Sequence, residues 1–208
     1  MAGLPPPPFP PPSPAGPIDL ALREWPAVCD LLLRGRFALL LRKGGIAEHD
    51  GPGRFRLEHD RFALFPAREH QNLDWLKPDC RPAPQADDVD TGITIGGFAE
   101  VARIWVVPSR AAFDRLDGLH PWAPPQIDMR FDYKPDRPLY LVALKAWRLM
   151  PPRQIPDRPA FAGCKSWIPL DGDDAVPAEA VAAAAPSMDA DALDQVLRAV
   201  DTAFVSDT

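Results

Sequence analysis

Arg42-Lys43-Gly44-Gly45 sets two cations before two residues without side chains. Bare backbone can bring its amides close to an anion, and the cations supply the opposite charge. A phosphate of a nucleic acid or nucleotide suits that pattern. No Lys-Ser or Lys-Thr follows the second glycine, so the stretch is not a P-loop. The plainer alternative is a solvated basic hairpin turn. Glu58-His59 and Glu69-His70-Gln71 place a carboxylate beside an imidazole twice. Such pairs can move protons or hold a metal, or they can simply make structural hydrogen bonds at strand ends. None of them has the spacing of a zinc motif on one helix. Cys164-Lys165-Ser166-Trp167 invites a nucleophile reading, since lysine beside cysteine can depress the thiol pKa. No histidine partner or helix N-terminus accompanies it. In a strand, Lys165 and Trp167 share one face and can meet a phosphate and a base, unless the strand only closes the core. The ligand-facing set is therefore Arg42, Lys43, Gly44, Gly45, Glu58, His59, His70, Gln71, Lys165 and Trp167. No catalytic residue, metal site or cofactor is assigned.

These residues need elements to hold them. Residues 1–17, with nine prolines, read as a disordered or semi-rigid tail. Asp19 can cap a helix in which Ala21, Trp25, Val28, Cys29 and Leu32 recur at helical spacing. Pro26 predicts either a kink or a helix that starts at Trp25-Pro26, and Gly35 stops it. Cys29 falls on the apolar face and reads as buried and inert. Arg36 to Leu41 is an apolar strand ending in the basic turn. Phe55, Leu57 and His59 alternate with polar residues, and Phe62 to Phe65 forms a strand ended by Pro66. Glu69 to Leu76 reads as a short helix and residues 78–91 as a surface loop. Thr94 to Val107 is a strand bent at Gly96-Gly97, with a bulge because its apolar residues hold no single alternation. Ser109 caps a short helix, Arg110 to Leu116. Asp128 to Tyr133 and Leu139 to Leu149 are strands, the second central because both its faces are apolar. Phe161 to Leu170 closes the sheet. Asp189 or Asp191 caps a last helix whose stripe of Leu193, Val196, Leu197, Val200 and Phe204 docks on the body.

Composition bounds the function. The 208 residues fit one ordinary domain plus tails: a tail over 1–17, an α+β domain over 18–171, and an acidic linker with a docked helix over 172–208. The apolar share of 46% and charged share of 25% are those of a soluble globular protein. No apolar run is long enough to span a membrane. No secretory signal is visible, and three cysteines without CxxC spacing fit a reducing cytoplasm. Formal charge is −6, concentrated at Asp87–Asp90 and Asp171–Asp174, which leaves a basic middle.

ALREW (21–25), LLRKGGI (40–46), LEHDRFALFP (57–66), EHQ (69–71) and GCKSW (163–167) resemble a bacterial family called domain of unknown function 1802, over roughly residues 18–170. That family name implies no activity and carries over no catalytic residue. Pro26 departs from the helix former expected there. The order of strands and glycine turns also resembles the small β-barrels of the PUA and ASCH type, which implies a cleft for a base or nucleotide-like ligand. The expected fold is α+β, a mixed or antiparallel sheet curled into a PUA-like barrel with flanking N- and C-terminal helices. The expected function is a binding module for nucleic acid or a nucleotide-like ligand, with Arg42, Lys43 and Lys165 on phosphate and Trp167 or Trp122 on a base. A metal-dependent nuclease or other hydrolase using Glu58, His59 and His70 is the alternative from a second class. A protein-interaction module working through the proline tail is the third, its partners unknown.

Overall fold

The computed structural model describes residues 16–43, 46–48, 55–57, 59–67, 69, 71–83, 92–163 and 165–205. The proline-rich residues 1–15, and with them most of the tail, lie outside that range, as do Gly44, Gly45, Glu58, His70 and Cys164. In order come β1 (Leu20–Glu24), α1 (Pro26–Leu33), β2 (Leu39–Arg42), β3 (Ile46–Glu48), β4 (Phe55–Leu57) and β5 (Arg61–Pro66). Then follow β6 (Ile93–Val106), α2 (Arg110–Asp114), α3 (Pro124–Asp132), β7 (Tyr140–Ile155) and β8 (Trp167–Pro169). The chain ends with α4 (Ala178–Ala182), β9 (Ala185–Pro186) and α5 (Ala190–Val205).

Among the described residues seven strands form one sheet, in the order β2-β7-β6-β5-β1-β8 with β9 added on β7, and β3 pairs with β4 separately. The sheet is mixed, because β1 runs parallel to β5 while the other pairs are antiparallel. β7 is central as its two apolar faces require, lying between β2 and β6. β6 carries register shifts between Ile95 and Gly97 and between Val101 and Arg103, which confirms the expected bend and bulge. At Gly97 a side chain has no room: a Cβ would lie 2.1 Å from the Trp147 carbonyl oxygen and 2.3 Å from Leu33 Cδ2.

The sheet is curled. β1 and β2 stand four places apart in the strand order, which in a flat sheet is about 19 Å at the usual strand spacing. Yet Arg42 Nη1, at the end of β2, lies 3.5 Å from the Arg23 carbonyl oxygen at the end of β1. The buried apolar residues form two clusters. One holds Leu22, Leu39, Leu41, Phe62, Leu64, Phe113, Leu141 and the buried side of α1 and α5. The other holds Ile18, Ala63, Phe65, Phe98, Trp147 and Ile168. The fold is α+β.

Several elements differ from the sequence reading. Residues 20–24, expected at the start of a helix, form β1; the helix begins at Pro26, with Trp25 in the extended N-cap position. Of the two readings of Pro26 this is the second, proline in the first turn. Gly35 ends α1 with φ of 68°, and its N–H donates to the Leu32 carbonyl at 3.0 Å. The strand expected over Asp128–Tyr133 is part of α3, whose first turn holds Pro124 and Pro125 where proline's missing donor costs nothing. The helix expected over Glu69–Leu76 is reduced to a 3-10 turn at Leu73–Trp75. The stretch read as an acidic linker carries α4 and β9, bridges Ile18 through Val176, and pairs Asp174 with Arg158. The two capped helices follow the sequence: Ser109 Oγ accepts from Ala112 N at 3.0 Å, and Asp189 Oδ1 from Ala192 N at 2.7 Å. α5 buries Leu193, Val200, Ala203 and Phe204, with Val196 and Leu197 half-buried beside them.

Candidate anion-binding site at the sheet seam

Where β2 meets β1, the curl brings opposite charges together out of water. Arg42 Nη1 lies 3.5 Å from Glu24 Oε2, and the two side chains keep only 15% and 14% of their exposure. The second Glu24 oxygen accepts the Trp25 backbone N–H at 2.9 Å, at the mouth of α1. Arg130, near the end of α3, joins them. Burial pushes its guanidinium below the ordinary arginine range, the Glu24 carboxylate pulls it back up, and Arg42 pushes it down again. Its Nε is buried without a hydrogen-bond partner. Glu24 is thus paired with Arg42 and also attracts the guanidinium of Arg130, and these three groups together carry a net positive charge in a setting where screening is weak.

An aromatic wall continues the site. Trp167 stands directly across from Leu22 in the β1–β8 pairing, so Glu24, two residues further on, projects from the same face. The Trp167 ring packs edge-on against Phe62 at 5.3 Å and against His59 at 4.9 Å. Its indole Nε1 is buried and unpartnered. Trp25, the residue after Glu24, tilts against Trp75 at 6.3 Å.

The expected ligand residues are distributed as follows. Arg42 and Trp167 belong to the seam, and His59 borders it as an exposed ring. Lys43 does something else: its Nζ donates at 3.1 Å to the carbonyls of Arg130 and Phe131, so the ammonium satisfies the C-terminal end of α3. Gln71 accepts the Ala27 N–H at 3.4 Å and caps the first turn of α1. Lys165 precedes β8 and is exposed. Trp122 is buried in a stack with His120 at 5.4 Å. Gly44, Gly45, Glu58 and His70 lie outside the described residues. Among the described residues no group of three or more His, Cys, Asp and Glu side chains could hold a metal. Cys29 is buried, and burial pushes its thiol well above the usual range, with Glu24 adding to the effect.

Glu24 and Arg130 were missed from the sequence. Arg23 lies next to Glu24 in sequence but points to the opposite face, where it donates to the Gly163 and Phe161 carbonyls and lies over the Phe65 ring. The strand parity of Leu22 and Glu24 was the available signal, once residues 20–24 are read as a strand.

A curled mixed sheet with a half-buried cationic seam defines the class: a small α+β domain with one candidate ligand face. The model of the family named domain of unknown function (DUF1802) matches residues 21–196, and the chain belongs to that family. None of the curated proteins matches the chain. Among solved structures, the chain is similar to ASCH from Zymomonas mobilis at 12% identity and a TM-score of 0.45, over 80% of this chain and 95% of that one. Two point mutants of the same protein match with TM-scores of 0.44, at 12% and 14% identity, over 80% of this chain and 96% and 98% of theirs. No helix among the described residues is long and apolar enough to cross a membrane.

Proposed function

We propose that the chain binds a phosphate-bearing ligand with an aromatic base, a nucleotide or a single strand of nucleic acid, at the seam. The observation that carries this reading is the unequal charge there: Arg42 meets the Glu24 carboxylate at 3.5 Å, and Arg130, whose Nε is buried without a hydrogen-bond partner, feels that same single carboxylate. Guanidinium forks match phosphate oxygens, and a half-buried surplus of positive charge draws an anion more strongly than an exposed one. Trp167 supplies a π-face on the same side of the strand, and base–aromatic stacking of this kind tolerates any sequence. The net charge of −6 repels polyanions from most of the surface, so affinity must come from this local site.

The test titrates short single-stranded RNA and DNA, and free nucleotides, against wild-type protein and Arg130→Gln. Wild-type affinity should fall linearly on a logarithmic salt scale. Arg130→Gln should bind roughly tenfold more weakly at low salt, in the range of a lost charge-assisted contact. Absence of binding by the wild type to every one of these probes at low salt would sink the reading.

A further inference from the structure

On the reading of the seam as a phosphate site, we propose that Glu24 is an internal stand-in for the ligand's anion, occupying the guanidiniums until phosphate displaces it. The contact geometry points that way. A guanidinium and a carboxylate that hold each other firmly meet at about 2.7–2.9 Å, often through two hydrogen bonds. This chain has such a pair elsewhere: Arg158 grips Asp174 through contacts of 2.6 and 3.0 Å. Arg103 and Asp201 meet at 2.7 Å. Glu24 and Arg42 make one contact, at 3.5 Å, although both are far more buried than Arg103 or Asp201. Burial normally tightens an ion pair, because the local dielectric falls. Arg42 Nη1 is divided between this carboxylate and the Arg23 carbonyl oxygen, each at 3.5 Å, so neither holds it firmly.

The second cation sharpens the argument. Arg130 is half-buried, feels the charges of both Glu24 and Arg42, and has a buried Nε without a hydrogen-bond partner. One carboxylate cannot neutralise two guanidiniums, whereas a phosphate dianion can, and its oxygens can serve both forks. Glu24 also has a place to rest when Arg42 turns to the ligand. Its Oε1 already accepts the Trp25 N–H, next to the positive end of α1. The carboxylate therefore needs only to give up Arg42, not to move into water. In the ligand-free chain it keeps the seam from holding two uncompensated charges, and its own negative charge weakens binding of any anion that follows.

Glu24→Gln separates the two roles, because the amide keeps an oxygen for the Trp25 N–H and removes the charge. Binding is measured by calorimetry with inorganic phosphate and with each of the four nucleoside 5′-monophosphates. Glu24→Gln should bind roughly tenfold tighter than wild type, as loss of one like charge at contact range implies. Adding Arg130→Gln should abolish the gain. Equal or weaker binding by Glu24→Gln, with wild-type binding intact, overturns the stand-in and leaves the seam reading in place. Absence of binding by both proteins overturns the two together. If Glu24→Gln does not fold, the carboxyl carbon resonance of Glu24 in the wild-type chain gives the same answer during a phosphate titration. It should shift in step with binding, and a stationary resonance in a protein that binds phosphate overturns the proposal.

Discussion

His120 shows how much one side chain can commit a fold to a pH range. It is fully buried, stacked on Phe113 at 4.7 Å and near Trp122 at 5.4 Å. Neither ring nitrogen has a hydrogen-bond partner. Burial first and Lys77 second lower its pKa to about 4, against the opposing pull of Asp117 and Asp114. The folded chain therefore refuses a proton that the unfolded chain accepts from about pH 6.5 downward. Stability is at its full value above that pH and is lost as the pH falls toward 4, by about 3 kcal/mol from this group. His120→Phe keeps the stack and removes the proton site. Urea unfolding at neutral pH and near pH 4 should show the wild type losing about that much more than the variant; equal losses would mean the carboxylates alone set the acid limit. Residues of this kind were partly legible. Arg42 and Trp167 could be named as ligand candidates from their neighbours in sequence. Glu24 and Arg130 could not, because a shared carboxylate exists only after the sheet curls. Lys43 was named as a ligand cation from its neighbours in sequence, and its contact with the end of α3 depends on where that helix stops.

At the scale of elements, side-chain pattern and chain-terminating residues competed, and the terminators were the better guide. Pro26, Gly35, Ser109 and Asp189 mark helix ends where the structure has them. Leu20 to Glu24 consists largely of residues that favour helices, yet it pairs with β5 on one side and β8 on the other, and that tertiary pairing overrides intrinsic preference. Asp128 to Tyr133 was read as a strand, and the two prolines at the start of α3 were the signal that pointed to a helix. The pairing of β3 with β4 had no sequence signature strong enough to predict it. The bend in β6 was legible because glycine pairs in a strand mark close approach. That approach is now specific: α1 reaches the sheet through Leu33 at Gly97, against the Trp147 carbonyl. Gly97→Ala forces backbone atoms apart rather than a flexible side-chain tip. It should destabilise by about 2–4 kcal/mol, in the range of overpacked core sites. The denaturation midpoint checks this, and a midpoint within experimental error of wild type would show that β6 and β7 can part at the bulge without cost.

The whole molecule depends on its C-terminal helix as much as on its sheet. α5 packs an apolar stripe into the larger core, and its polar side is tied to β6, where Asp201 accepts from Arg103 at 2.7 Å and from the Trp105 indole at 2.9 Å. Arg115, after α2, donates to the Ala203 carbonyl. A helix fixed on both its apolar and its polar side should not detach before the sheet melts. The sheet has a further reason to unfold as one unit, since β6 and β7 contribute to both apolar clusters. Val200 lies at the middle of the stripe and is fully buried. Val200→Asp places a carboxylate there without a partner, which should cost about 3 kcal/mol or more. For a chain of this size that lowers the melting temperature by roughly 6–12 °C. The decisive observation is the shape of the transition. Far-ultraviolet dichroism follows the helices, while tryptophan fluorescence reports Trp105 beside α5 and Trp147 in the second core. In the variant the two signals should shift together and stay superimposed. An early loss of helical signal with unchanged fluorescence would mean that α5 is an appendage that can leave a stable sheet behind. An unchanged midpoint in both would mean that the stripe is not what holds the helix.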